Sequence, residues 1–409
     1  ASTARTSHTG SCACAIAPAG PRDFKAGDLG RGVDAEAAYR SIRSIAQEAV
    51  SEEELRALVQ EAVQAKAAGG GAKAPRAYIG FEPSGTAHIG WMVCTDAIRR
   101  LTAAGFDVTV LLADWHAQIN DKLGGDLAAI QRCGRYMEEA FAALGVAEGS
   151  VTYRYANELA ADSAYWATVV RVAKHSTLAR IRRAMTILGR GEDEADGDLS
   201  KFLYPAMQVA DIFHMGIHLA MGGMDQRHAH MLARDVAPKL GRPAPVALHT
   251  PLVPSLKGPG GGRMEAGDGV RTPEGAAKMS KSDPDSGIFI HDAPDEIKRK
   301  LRLAHCPPKE VEGNPVLDLL RLVVWPRLAE LHKDGPARFE IRRPEKFGGS
   351  KYYVGYEALL AEYRSGALHP MDLKNGVADA LALLLQPVRA YFGRHPDNWQ
   401  FVQGLRKTR

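Results

Sequence analysis

Val108 to Ala113 is an apolar run of the kind buried on both faces of a parallel sheet. It does not stand alone. Tyr78-Ile79-Gly80-Phe81 is a short strand candidate, followed by a Pro-Ser-Gly turn and a predicted helix from about Ile89 to Ala104. A second helix is expected over Leu127–Ala143, and a third strand near Val151–Tyr155. Strands alternating with helices in this order predict an α/β fold, a doubly wound parallel sheet of Rossmann-like type covered by helices.

Around this unit the chain changes character. Asp34 to about Lys66 reads as helix interrupted near Ser51, where Ser51-Glu52-Glu53-Glu54 forms a capping box. A Gly/Ala-rich linker, Ala67–Ala74, leads into the main domain. Helices are expected over 162–188, 201–219 and 226–239, and the Gly-rich stretch 257–277 reads as a mobile loop. From about Pro294 the pattern is mainly helical. Residues 1–33 read as a tail; the first 22 contain no acid and faintly resemble an organelle transit peptide. The net charge of +4 is too mild to diagnose nucleic-acid binding, so a local basic face would have to serve. Five cysteines without framework spacing fit a reducing cytosol. No apolar run reaches the roughly 20 residues of a membrane span.

Two segments carry chemistry. In Glu82-Pro83-Ser84-Gly85-Thr86-Ala87-His88-Ile89-Gly90, the absence of a Cβ at Gly85 and Gly90 lets a phosphate approach. A helix starting near His88 or Ile89 would offer unpaired N–H groups, and His88 a further donor. Lys278-Met279-Ser280-Lys281-Ser282 supplies two ammonium groups and two hydroxyls on a loop that could close over a triphosphate. Tyr204, Gln208 and Asp211 fall at i, i+4 and i+7, one face of a helix. Pro205 is expected near the first turn of that helix.

His88-Ile89-Gly90 with Lys278–Ser282 resembles the paired motifs of class I aminoacyl-tRNA synthetases. The segments Tyr78–Gly90, Leu111–Asn120, Tyr204–Asp211, Gly222–Arg234, Arg343–Gly349 and Leu368–Asn375 are similar to tyrosyl-tRNA synthetases of the archaeal and eukaryotic branch. The resemblance implies a catalytic Rossmann-like domain over 76–292, preceded by a helical extension and linker over 34–75. A helical anticodon-binding domain would follow over 293–409. It implies His88, Lys278 and Lys281 as catalytic groups, and Gly85, His88, Gly90, Asp225, Met279 and Ser280 around ATP. Tyr78 and Asp211 would hold the phenolic hydroxyl of tyrosine, and Tyr204, Gln208 and Gln226 its α-amino group, with Leu111, Ala113 and His116 lining the ring pocket. Arg227 would meet the tRNA acceptor stem; Phe347, His369 and Asp372 would meet the anticodon.

The implied reaction joins L-tyrosine to tRNA(Tyr) with ATP and Mg²⁺, in a cytoplasmic homodimer; no protein cluster dedicated to the metal is expected. Choosing tyrosine over phenylalanine requires pairing a buried hydroxyl, since an unpaired buried polar group is costly. A tryptophanyl-tRNA synthetase shares fold and motifs, but Tyr78 with Asp211 argues for a phenol. The family pattern departs at Trp91, where many class I enzymes carry a second histidine. Trp91 is the one feature that favours a non-catalytic tRNA-binding scaffold.

Overall fold

The structure, a computed structural model, describes residues 34–69, 73–188, 198–259, 279, 283–331 and 336–405. The tail over 1–33 and most of the expected 257–277 loop lie outside the described residues. Six strands form the main sheet: β1 (Glu48–Val50), β2 (Arg76–Phe81), β3 (Asp107–Leu112), β4 (Thr152–Tyr155), β5 (Leu219–Gly223) and β6 (Val246–Thr250). Their spatial order is β1-β6-β5-β2-β3-β4. Strands β2 to β6 pair in parallel, and β1 closes one edge antiparallel to β6. The chain therefore winds outward in both directions from the β2/β5 pair. The crevice beyond the carboxyl ends of these two strands is where an open α/β sheet binds its ligand.

Alternation along the strands divides the core in two. Ala77, Ile79, Val108, Val110, Leu112, Leu219 and Met221 face a cluster built on helices Trp91–Ala104 and Leu127–Ala143. Tyr78, Leu111 and Ala220 face the opposite cluster, with helices Ser163–Lys174, Leu199–His214 and Arg227–Val236. The first cluster continues without a break into the C-terminal region, reaching Val323, Leu373 and Leu381. That region contains helices Pro294–Leu303, Tyr356–Ser365, Pro370–Leu384, Gln386–Arg394 and Asp397–Leu405. The buried pair Arg327 Nη2–Asp96 Oδ1, at 2.6 Å, ties it to helix Trp91–Ala104.

The structure differs from the sequence expectation at several elements. The break near Ser51 contains a strand, β1, that joins the main sheet. The helix expected over 201–219 runs from Leu199 to His214; Gly216, at φ +60°, ends it and β5 follows. Neither β5 nor β6 stands out in the sequence: Leu-Ala-Met-Gly-Gly holds no β-branched or aromatic residue, and Val-Ala-Leu-His-Thr carries its β-branched residues, Val246 and Thr250, only at its ends. Pro205 lies inside the helix beyond its first turn, so the ladder there loses one N–H donor. The C-terminal half also holds an antiparallel hairpin, β7 (Arg338–Ile341) with β8 (Lys351–Val354).

The capping box forms as the sequence predicts. Ser51 Oγ accepts from the Glu54 N–H at 3.3 Å, and Glu54 Oε2 accepts from the Ser51 N–H at 3.0 Å. Glu54 also pairs with Arg234 at 2.9 Å, which fastens helix Glu52–Ala67 to the helix after β5. Ser51→Ala should lower unfolding free energy by about 1 kcal/mol in urea titrations, and Ser51→Thr by less. No change in the midpoint would show that the cap contributes nothing to stability.

Candidate active site

Helix Leu199–His214 brings Tyr204, Gln208 and Asp211 to one face, as their spacing predicts. Asp211 is 1% exposed. Its Oδ1 accepts from the Tyr165 hydroxyl at 2.9 Å, and its Oδ2 lies 3.2 Å from His116 Nε2. Burial alone would push the His116 imidazolium down; the adjacent Asp211 carboxylate outweighs it and holds the pKa above its ordinary value. Tyr78, on β2, is fully buried in the same cluster as Leu111 and Tyr165. Burial first and the Asp211 charge second push its phenol well up, so Tyr78 stays protonated. Ala113 directly follows β3, with its N–H on Phe81 O at 2.8 Å.

Around this pocket lies a second set of polar groups. The Tyr204 hydroxyl donates to Glu82 Oε1 at 2.7 Å, and Asn120 Nδ2 reaches the same carboxylate at 3.1 Å. The His116 ring meets Tyr204 edge-on at 4.9 Å. Gln208 Nε2 donates to Gln226 Oε1 at 3.0 Å. Gln208 Oε1 is buried with no hydrogen-bond partner among the described residues, while the Gln208 amide lies close enough to Tyr78 to ease its phenol slightly back down. Tyr165, Glu82 and Asn120 escape sequence reasoning. Tyr165 and Asn120 come from separate elements far away in the chain, and no spacing ties them to Asp211 or Tyr204.

The turn after β2 carries the glycine-rich segment. Gly85 sits at φ +109°, where a side chain would be strained. Helix Trp91–Ala104 starts after Gly90, slightly later than expected. The expected open N–H groups are largely engaged. Gly85 N–H points to Cys133 Sγ (3.2 Å), Ala87 N–H to Tyr136 Oη (3.1 Å) and Ile89 N–H to Ile288 O (2.8 Å). Gly90 N–H donates to His88 Nδ1 at 3.1 Å, which leaves the imidazole proton on Nε2 as a donor. Trp91, Met92 and Val93 bond back to His88, Ile89 and Gly90. The turn is thus a rigid frame that presents His88, and the helix terminus has few donors to spare for an anion.

Residues 287–290 lie across this turn, with His88 and Phe289 forming an antiparallel bridge. Met279 is 5% exposed and packs against Gly287, where a Cβ would come within 2.8 Å of its side chain. Lys278, Ser280, Lys281 and Ser282 lie outside the described residues. Asp225 sits in the turn after β5, and its charge helps push the part-buried Cys94 thiol, on the helix after His88, up to about 12, after desolvation itself. Trp91 is a core residue, stacked on Phe141 at 5.1 Å and tilted against Phe81 at 5.1 Å. It fills apolar space, and His88 is the imidazole that this turn carries.

Outside the crevice, Arg227 Nε contacts both oxygens of Glu48, at 2.8 and 3.0 Å. In the C-terminal region Phe347 is 63% exposed, with Lys346 Nζ 5.0 Å from its ring centre. Arg343 Nη1 lies 3.7 Å from Asp372 Oδ2, and His369 Nδ1 caps the same helix by accepting the Met371 N–H. Arg343 Nε also donates to Gly349 O at 3.1 Å, so this side chain ties the turn that carries Phe347 to the helix that His369 caps.

Residues 72–386 match the family model for class I tRNA synthetases of the W and Y type. The chain belongs to this family. A tyrosine–tRNA ligase of Aeropyrum pernix is 48% identical over 358 residues, 87% of this chain and 93% of the relative. The crystal structure of a Pyrococcus horikoshii tyrosyl-tRNA synthetase complexed with L-tyrosine is 38% identical with a TM-score of 0.77, covering 91% of this chain and all (100%) of that one. A Plasmodium falciparum tryptophanyl-tRNA synthetase shares the fold at 17% identity, with a TM-score of 0.60. Within the family, then, the chain falls with the tyrosyl-tRNA synthetases.

At Gly90 a Cβ would lie 2.8 Å from His88 Cε1 and 2.9 Å from Nδ1. Gly90→Ala should displace the imidazole and lower kcat/KM for ATP on the order of 10- to 100-fold with little loss of thermal stability. A variant with unchanged ATP kinetics would show that the His88 geometry is unimportant.

Proposed function

We propose that the protein activates L-tyrosine with ATP and transfers it to tRNA(Tyr). The observation that carries this reading is Asp211: a buried carboxylate beside Tyr165, His116 and the protonated Tyr78. In our reading the substrate phenol donates to Asp211 and accepts from Tyr78. Leu111, Ala113 and His116 line the ring pocket. The α-ammonium is taken by Gln208, Gln226 and Tyr204, and the buried, unpartnered Gln208 oxygen supports that assignment.

The tyrosine carboxylate then attacks the α-phosphorus of ATP. A carboxyl oxygen–phosphorus bond forms, the bond to the bridging oxygen breaks, and pyrophosphate leaves. No general base is needed, because the carboxylate is already ionised near pH 7. Positioning and charge stabilisation account for the rate. His88 donates to phosphate oxygens from Nε2. Lys278 and Lys281, which flank Met279 and Ser280 in the chain, neutralise the leaving pyrophosphate. Gly85 and Gly90 admit the phosphates, and Asp225 accepts from the ribose. Mg²⁺ enters with ATP on its phosphate oxygens; among the described residues no group of three or more acidic, histidine or cysteine side chains is built to hold it. In the second step a terminal ribose hydroxyl of the tRNA attacks the tyrosyl carbonyl, and AMP leaves.

The same reading divides the chain into an N-terminal extension over 34–75, a catalytic part over 76–292 and a tRNA-binding part over 293–409. Arg227 meets the acceptor stem. Phe347 stacks an anticodon base while Asp372, with His369 beside it, reads a base edge. The enzyme would act in the cytoplasm as a homodimer; no helix among the described residues is long and apolar enough to cross a membrane.

ATP–pyrophosphate exchange with each of the twenty amino acids tests the proposal. Exchange with tyrosine alone is expected; exchange with tryptophan, or with none, would refute it. Asp211→Ala should cut tyrosine-dependent exchange on the order of 10- to 100-fold while ATP affinity stays within two- to three-fold, as loss of a hydrogen bond to a charged group implies. Equal activity would take Asp211 out of the pocket.

A further inference from the structure

The turn that presents His88 is held from behind by helix Leu127–Ala143. Ala87 is fixed at both ends: its N–H donates to Tyr136 Oη at 3.1 Å, and its carbonyl accepts from Ile290 N–H at 3.2 Å. Tyr136 is fully buried, and its hydroxyl lies 2.8 Å from His291 Nε2. With the Ala87 N–H on one lone pair, the phenol proton can point to that nitrogen. His291 lies face to face with Trp399, ring centres 3.4 Å apart and planes 8° from parallel, and Phe392 closes its edge at 4.5 Å. Trp399 belongs to the last described helix, Asp397–Leu405, which sits more than a hundred residues beyond the sheet in the sequence. The same helix grips the back of Leu127–Ala143 twice more, through Asn398 Nδ2–Glu139 Oε1 at 2.8 Å and through Arg132 over the Phe401 ring at 4.2 Å.

We propose that Tyr136 is a positioning residue for the nucleotide turn, and that His291 and Trp399 make its placement depend on docking of the C-terminal helix. The chain of contacts is short and continuous: Trp399 fixes the plane of His291, His291 orients the Tyr136 hydroxyl, and that hydroxyl sets Ala87, the residue before His88. His291 also directly follows the 287–290 segment that bridges His88 and receives Met279. The C-terminal part of the chain therefore reaches both phosphate-facing segments through one aromatic stack. None of these three side chains touches tyrosine in the reading given above, so their effect falls on ATP.

The inference rests on the proposed ATP site, and its test separates the two. In full-length protein, Tyr136→Phe, His291→Ala and Trp399→Ala are compared with His291→Gln, which keeps a hydrogen-bonding group near the Nε2 position, and with Trp399→Phe, which keeps a stacking ring. Tyrosine-dependent pyrophosphate exchange gives KM for ATP and for tyrosine, and calorimetry gives ATP affinity in the absence of amino acid. The first three variants should weaken ATP on the order of five- to ten-fold, the size expected for one lost hydrogen bond, with KM for tyrosine within two-fold. His291→Gln and Trp399→Phe should recover most of the loss. ATP constants within two-fold of wild type in Tyr136→Phe would overturn the proposal, as would parallel weakening of both substrates. Should Trp399→Ala fail to fold, Tyr136→Phe and the His291→Ala/His291→Gln pair decide. Wild-type protein that binds ATP without tyrosine-dependent exchange would count against the activation reading alone, and the calorimetric constants would still decide the positioning role. Wild-type protein that binds no ATP would overturn both.

Discussion

A carboxylate taken out of water must be paired or hydrogen-bonded, or the fold carries a penalty of several kcal/mol. Asp211 meets that constraint with partners from different elements. Tyr165 comes from helix Ser163–Lys174, His116 from the short helix after β3, and Tyr78 approaches from β2. Satisfying one buried charge therefore fixes the mutual placement of a strand and three helices. The alternation along β2 makes this possible. Tyr78 points to the pocket side, while Ala77 and Ile79 face the other cluster and keep the sheet anchored there. The pocket polarity and the sheet packing are two faces of the same strand.

What the sequence reveals follows from the range of the interaction. Local signals are legible: the Ser51 capping box, the i, i+4, i+7 face of Tyr204, Gln208 and Asp211, and the strand–turn–helix around Gly85 and Gly90 all form where expected. Long-range pairings are not. Nothing in the pattern links Tyr165 to Asp211, 46 residues away, or Tyr204 to Glu82, 122 residues away. Strand β5 hides because Ala220, Gly222 and Gly223 near the sheet centre leave room for neighbours at the cost of strand signal, and β6 because its β-branched residues stand only at its ends. Trp91 shows the opposite failing. Its motif position is one where many class I enzymes carry a histidine, but its size and apolarity send it into the core against Phe81 and Phe141.

The turn before His88 changes the usual picture of a helix terminus as an anion cradle. Its N–H groups at Gly85, Ala87, Ile89 and Gly90 all have protein acceptors. Donors committed in this way no longer bind a phosphate, but they remove the freedom of the turn, so the one imidazole it displays is preset. Preorganised donors cost no reorganisation when charge develops, so in the proposed reading a stiff turn serves better than a loose one. The stiffness comes from Cys133 and Tyr136 on one helix and from Ile288 and Ile290 on one extended segment.

The N-terminal segment is built into this arrangement as well. Strand β1 covers the edge of β6 and so removes an exposed row of backbone groups. Glu48, on β1, accepts from Arg227 Nε at 2.8 Å and lies 2.8 Å from His249 Nδ1; His249 in turn lies 3.1 Å from His230. Burial, and then the neighbouring His249, lower His230 to about 3, so it is neutral at physiological pH and can join its neighbour by a single shared proton. His230 lies with its ring 6.5 Å from that of Tyr78. A polar file thus runs from the surface guanidinium of Arg227 to the wall of the Asp211 pocket. Its outer link is part-exposed, at 39% for Arg227 and 28% for Glu48, and such a pair contributes on the order of 1 kcal/mol or less. The file is thus loosest at its surface end, while His249 and His230 behind it are fully enclosed.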